Sequence, residues 1–241
     1  MVGAYTGLGR YMRNFVDCKA ILFDLGGTLD SDGEHWLDRF YELYEQADAA
    51  LPRDEIKRVF YAADRLCCGD PKVLPMGLRP LMKHHVSLQF GLLKVSDPAM
   101  EEEFVERFCA KTERIFERNA GLLKRLKPVF KMGVVSNFYG NAETVLREAG
   151  VAESLKVILD STRLGVGKPD PEIFRIAAER LGEAPAGIIF VGDSHERDIE
   201  PARALGMKTI WLKGPKPRIP ENAQPADRVI SSLLEVESIV L

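Results

Sequence analysis

Between Met132 and Leu212, short continuous apolar runs alternate with stretches of helical spacing, and this alternation constrains the fold more than any other feature of the chain. The runs Met132–Val135, Val157–Leu159, Ile188–Val191 and Thr209–Leu212 predict strands, with helices over Ala142–Ala149, Pro171–Leu181 and Ile199–Leu205 between them. Strands that are apolar at every position must be buried on both faces, which a parallel sheet covered by helices on each side provides. The earlier run Ala20-Ile21-Leu22-Phe23 predicts one more such strand and stops abruptly at Asp24 and the pair Gly26-Gly27. Sheets of this kind bind ligands beyond the C-terminal ends of their strands, so polar residues placed there are the first candidates for a site.

From Trp36 to about Arg118 the period changes. Trp36, Phe40, Leu43 and Ala47, then Ile56, Phe60 and Ala63, then Phe104, Phe108 and Ile115, fall at helical intervals and predict an α-helical insert. Pro71, Pro75 and Pro80, with Gly69 and Gly77, split it into two helical halves, because proline cannot continue a helix interior. The expected organisation is an α/β core from residues 1–34 and 119–241 with an α-helical domain from 35–118 inserted into it. The proline-rich stretch Lys213 to Pro225 is expected to be an irregular surface loop.

A chain of 241 residues that is 46% hydrophobic can bury a sizeable core. Its 33 basic residues are scattered and the net charge is −3, so a nucleic-acid backbone is not an expected partner. No apolar run approaches the ~20 residues of a membrane span. Cys18, Cys67, Cys68 and Cys109 lack metal-ligand spacing, and Cys67 and Cys68 read as small apolar residues near a helix end rather than a redox pair. Together these features predict a protein of the reducing cytoplasm, with no membrane partner. They do not specify its oligomeric state.

Four polar clusters follow predicted strands or precede helices: Asp24-Leu25-Gly26-Gly27-Thr28, Ser136-Asn137, Gly167-Lys168-Pro169-Asp170-Pro171, and Gly192-Asp193-Ser194 with Asp198. Each aspartate alone could be a helix cap. In their order and context the clusters resemble the haloacid dehalogenase-like (HAD) superfamily, in the phosphoglycolate-phosphatase-like branch that carries a helical cap. The resemblance runs from about Ala20 onward and is densest in GVGKPDPEIF and IIFVGDSHERDIEPARALGMKTIWL. It implies a Rossmann-like parallel sheet with helices on both faces plus an inserted α-helical cap, and a hydrolase that takes a small phosphorylated substrate through an aspartyl-phosphate intermediate.

The resemblance also implies roles. Asp24 matches the nucleophile, Ser136 the hydroxyl of the second motif, Lys168 the lysine of the third, and Asp193 and Asp198 the acidic pair of the fourth. Mg²⁺ would be held by Asp24, Asp193 and the carbonyl of Gly26, since a hard cation prefers oxygen ligands. Gly27, Thr28, Ser136, Asn137 and Lys168 would surround the phosphate, and Ser194 and Asp198 would support them from behind, Asp198 by orienting Lys168 or a metal-bound water.

One position departs from the family's phosphatases. Two residues after the nucleophile they carry a second aspartate, the general acid that protonates the leaving alcohol, and this chain has Gly26. General acid–base assistance contributes ~10²–10⁴-fold, so turnover by the usual route should be reduced or atypical. Asp30, Asp32, Glu34 or a residue of the cap could substitute. Two alternatives stay open: a non-catalytic domain that binds a phosphorylated ligand, and carbon–phosphorus hydrolysis through a Schiff base on Lys83, which follows Met76-Gly77-Leu78-Arg79-Pro80. The 2-haloacid dehalogenases also lack the second aspartate, but they use no metal and leave Asp193 unexplained. His35, His84 and His85 lie in the insert and could face the pocket, although surface or partly buried positions are expected of them, and His195 is expected at the mouth of the site.

Overall fold

The computed structural model describes residues 15–49, 51–215 and 225–241. Strand β1 (Ala20–Phe23) opens it and runs into a tight turn at Leu25–Leu29. Four helices follow: α1 (Trp36–Gln46), α2 (Arg53–Gly69), α3 (Leu78–Leu93) and α4 (Pro98–Leu126). The chain then alternates as the apolar runs predict: β2 (Lys131–Ser136), α5 (Ala142–Glu148), β3 (Val157–Asp160), α6 (Ser161–Leu164), α7 (Pro171–Leu181), β4 (Ile188–Gly192), α8 (Glu200–Ala204) and β5 (Lys208–Leu212). Strand β6 (Arg228–Ile230) and helix α9 (Glu235–Val240) complete the described residues.

All strand pairs are parallel, in the order β3-β2-β1-β4-β5-β6. The chain moves outward from β1 through β2 and β3, then returns to β4 on the other side of β1. That reversal leaves a crevice beyond the C-terminal ends of β2, β1 and β4, the place where open α/β sheets bind ligands. The register sets Phe23 level with Val134 and Val191, and Asp24 N–H donates to the Val191 carbonyl at 2.9 Å. Asp24, Ser136 and Asp193 therefore emerge side by side.

Successive residues of β1 face opposite sides of the sheet. Ala20 and Leu22 pack with Ile173, Phe174, Phe190 and Ala202 on one face, where the rings of Phe174 and Phe190 lie 4.9 Å apart. Ile21 and Phe23 belong to a larger cluster on the other face, which continues through Trp36, Phe40, Phe60, Phe90 and Phe108 of the insert. Within it, Phe40 stacks on Phe108 at 5.5 Å, and the buried Arg39 guanidinium lies 3.6 Å from the centroid of the same ring.

The prolines act as expected, with one refinement. Pro71 starts a short turn after α2, while Pro80 sits in the first turn of α3, where a missing N–H costs nothing. Helix α4 is capped by Asp97, whose carboxylate accepts from Met100 N–H at 3.0 Å, and it runs unbroken past residues 118 and 119 through Gly121 to Leu126. Most of the proline-rich stretch from Lys213 lies outside the described residues. Among the described residues no helix is long and apolar enough to cross a membrane.

Candidate active site

Lys168 is the hub of the crevice. Its side chain is 3% exposed, and Nζ lies 2.6 Å from Asp24 Oδ1 and 2.6 Å from Asp198 Oδ1. Burial alone would pull the lysine pKa down, but the Asp198 and Asp24 carboxylates outweigh it and hold the ammonium above its ordinary value. Asn137 fixes the lysine's backbone from both sides: Nδ2 donates to the Lys168 carbonyl at 2.7 Å, and Oδ1 accepts from Lys168 N–H at 2.7 Å. Asp198 also accepts from Ser194 N–H at 2.9 Å.

Asp193 completes the acidic group. Carboxylate oxygens of Asp24, Asp193 and Asp198 lie within 4.8 Å of one another. Asp193 accepts a 3.3 Å bond from Thr28 Oγ1, and its own carbonyl accepts from Trp211 Nε1–H at 2.9 Å. Desolvation, then repulsion from Asp24 and Asp198, pushes its pKa well above the usual carboxylate range. Three carboxylates thus face one ammonium, an uncompensated negative charge that suits a divalent cation bound through oxygen.

The glycine turn permits this crowding. Gly27 has φ = 90°, and a Cβ there would lie 2.6 Å from the Asp193 carboxylate carbon. Gly27 and Thr28 were expected to hold phosphate oxygens; instead Gly27 N–H donates to Asp30 Oδ1 at 2.7 Å, and the buried Thr28 hydroxyl turns to Asp193. Neither lines the cavity. Asp24, Gly26, Ser136, Asn137, Lys168, Asp193, Ser194 and Asp198 do, around a space of about 120 Å³.

The substitutes considered for the missing acid stand elsewhere. Asp32 receives a bidentate Arg118 at 2.7 and 2.9 Å and Leu233 N–H at 2.9 Å, and Glu34 pairs with Lys111 at 2.5 Å. Asp30 is buried beneath the turn, bound to Gly27 N–H and to the Trp36 indole N–H. Burial raises its pKa to about 6, against the pull of Arg39, Trp36 and Gly27. A carboxyl raised on folding stabilises the native state fully below its unfolded value of about 4, and that contribution fades as pH rises through about 6. The stability of the native protein relative to an Asp30→Asn variant should therefore fall between pH 4 and 6. Urea denaturation of both across that range checks it, and a constant difference would mean that Asp30 does not titrate there.

Two further expectations, for Lys83 and His195, are corrected. Lys83 is solvent-exposed on α3 and does not line the cavity, so it lacks the low-dielectric surroundings that Schiff-base chemistry requires. His195 is buried with its ring 5.6 Å from Trp211, because the turn after Ser194 swings it inward, away from the mouth. His84 faces Asp70 at 3.2 Å. Cys67 is buried and Cys68 exposed, and both are free thiols. Of the insert's histidines His35 lines the cavity, and the walls that sequence reasoning did not identify are Trp36, Phe60, Tyr61 and Asp64 from the insert, with Phe138, Tyr139 and Arg197 from the core.

A model of the haloacid dehalogenase-like hydrolases matches residues 18–206. The N-acetylmuramic acid 6-phosphate phosphatase of Pseudomonas putida is 30% identical over 231 residues, 92% of this chain and 96% of that protein. A bovine haloacid dehalogenase-like hydrolase domain-containing protein 3 is 32% identical over 139 residues, which span 56% of this chain but only 55% of the relative. Among solved structures, the HAD-hydrolase YfnB from Bacillus subtilis bound to magnesium superposes with a TM-score of 0.57 at 22% identity, covering 92% of this chain and 98% of that one, a likeness of fold.

Proposed function

Because the chain belongs to the haloacid dehalogenase-like hydrolase family, we propose that it hydrolyses small phosphate monoesters with the help of Mg²⁺, through an aspartyl-phosphate on Asp24. The observation that carries this reading is the Asp24–Lys168–Asp198 array beside Asp193, at the C-terminal ends of neighbouring strands. The P. putida relative, named for the 6-phosphate of a small molecule, supports a small phosphate monoester as the substrate class.

Asp24 and Asp193 would hold Mg²⁺ with the Gly26 carbonyl, and the excess of carboxylates over ammonium is the fit this chain offers it. When bound, the ion supplies positive charge between a nucleophilic carboxylate and a phosphate that would otherwise repel each other. Lys168 holds Asp24 in one position and adds a fixed positive charge, while Asn137 keeps the lysine's backbone from shifting. The Ser136 hydroxyl, in the cavity wall, donates to a phosphate oxygen. Thr28 and Gly27 serve the site indirectly, by seating Asp193 and the turn.

Asp30, Asp32 and Glu34 all lie outside the cavity, so none stands ready to protonate a leaving alcohol. The protein should favour esters whose leaving group departs as a stable anion. Release of p-nitrophenol from p-nitrophenyl phosphate should require added Mg²⁺, vanish with a chelator, and return when Mg²⁺ is restored. Hydrolysis undiminished by the chelator would remove the metal from this reading.

A further inference from the structure

We infer that Asp64, on the insert's helix α2, is the acceptor that recognises a hydrogen-bond donor, an ammonium or a hydroxyl, on the part of the substrate that leaves. The inference rests on the phosphate-ester reading above and specifies the substrate class. Asp64 lines the cavity that contains Asp24 and Lys168, and also an adjoining lobe that Cys68, Thr162 and Gly165 help to line. It is the carboxylate that the insert contributes to either wall among the described residues.

Its surroundings are built to hold an anion. Asp64 Oδ1 accepts from the Tyr139 hydroxyl and from His85 Nε2–H at 3.1 Å. His85 Nδ1 accepts in turn from Gln89 Nε2–H at 2.9 Å, and Gln89 Oε1 accepts from the Tyr44 hydroxyl at 3.3 Å. Every proton in this chain of side chains points toward Asp64, an assignment that follows from the hydrogen-bond network. His85 and Gln89 are fully buried, and the His85 ring is flanked by Phe40 and Phe60 at 5.5 and 5.2 Å. Burial, then the charge of Asp64, raises the Tyr139 pKa well above its usual value, so the phenol stays a donor.

A fully satisfied buried network fixes one rotamer and is expensive to leave incomplete. This one saturates Oδ1 alone. Asp64 Oδ2 has no hydrogen-bond partner among the described residues, and the side chain remains 25% exposed on the cavity wall. A rigid carboxylate with one oxygen open, facing a cavity that seats phosphate at its other end, selects a phosphate ester whose leaving portion carries a donor. It disfavours one that carries a second anion.

Phosphonates, which mimic the esters without a cleavable P–O–C link, test this by calorimetric titration of the whole protein in Mg²⁺. 2-Aminoethylphosphonate should bind about tenfold or more tightly than propylphosphonate, the scale of one hydrogen bond to a charged group, with 2-hydroxyethylphosphonate between them and 3-phosphonopropionate weakest. Asp64→Asn should erase most of that ranking while leaving the affinity for inorganic phosphate within about threefold, whereas a purely structural role would weaken both together. The ranking in the native protein is decisive even if the variant does not fold. A flat ranking with inorganic phosphate still bound, or tightest binding of 3-phosphonopropionate through Arg197, overturns the assignment of Asp64 alone. Failure to bind inorganic phosphate or any phosphonate overturns the phosphate-site reading as well.

Discussion

Gly26→Asp should speed hydrolysis of alkyl phosphates about 10²–10⁴-fold, the contribution expected of a general acid, and speed p-nitrophenyl phosphate much less. The backbone permits the change, since Gly26 has φ = −73° and ψ = 118°, a conformation open to any residue. A Cβ there meets nothing nearer than Trp36 Nε1 at 3.9 Å, and Gly26 already lines the cavity, so the new carboxyl would enter it beside the indole. Trp36 N–H is bound to Asp30, which leaves the added carboxyl free to work on the leaving oxygen. Nitrophenolate departs without a proton, whereas an alkoxide does not, so the ratio of the two gains is the diagnostic. Steady-state kinetics on both ester types would give it. Equal gains, or none, would mean that proton transfer is not what limits this chain.

Asp24→Asn should reduce hydrolysis by on the order of 10⁴-fold or more, the loss that follows removal of a group on which the whole reaction depends. The substitution preserves shape but removes the attacking anion and one of three carboxylates in the acidic group. Lys168 would keep Asp198 at 2.6 Å, so the buried ammonium is not stranded and the fold should persist. With less repulsion at Asp193 but one charged ligand fewer, Mg²⁺ should bind more weakly. Single-turnover assays with a circular-dichroism control for folding would separate chemistry from collapse. Activity at the native level would place the reaction elsewhere in the molecule.

The strands and their terminal polar residues were legible because parallel strands must be apolar throughout and must end where the chemistry begins. Asp24, Ser136, Lys168, Asp193 and Asp198 could all be read from context; the sheet order sets the strand-end residues Asp24, Ser136 and Asp193 side by side, and Lys168 joins Asp198 to Asp24. Strand β6 was not legible: it has three residues at the sheet edge, and Val229 is 52% exposed, so it carries no buried run. The helical pattern read to about Arg118 continues through Gly121, because a helix of 29 residues absorbs the ~1 kcal/mol that an interior glycine costs. His195 misled by its nearness to Asp193 in sequence, since one turn of backbone reverses the direction of its side chain. Asp64 and Tyr139 were invisible for a deeper reason. A polar residue within a helix reads as solvent-facing, and only the way α2 meets the loop after β2 turns Asp64 toward the site.

The apolar cluster that joins Ile21 and Phe23 to Phe40, Phe60 and Phe108 has a consequence for how the molecule can be taken apart. Neither the sheet nor the helices inserted after β1 own a private interior on that side. Cutting the insert out would expose one face of the central strand to water, and expressing the insert alone would leave its aromatic face uncovered. The inserted helices are thus part of what keeps β1 folded, and exchange of this segment between relatives is constrained by cohesion before it is constrained by chemistry.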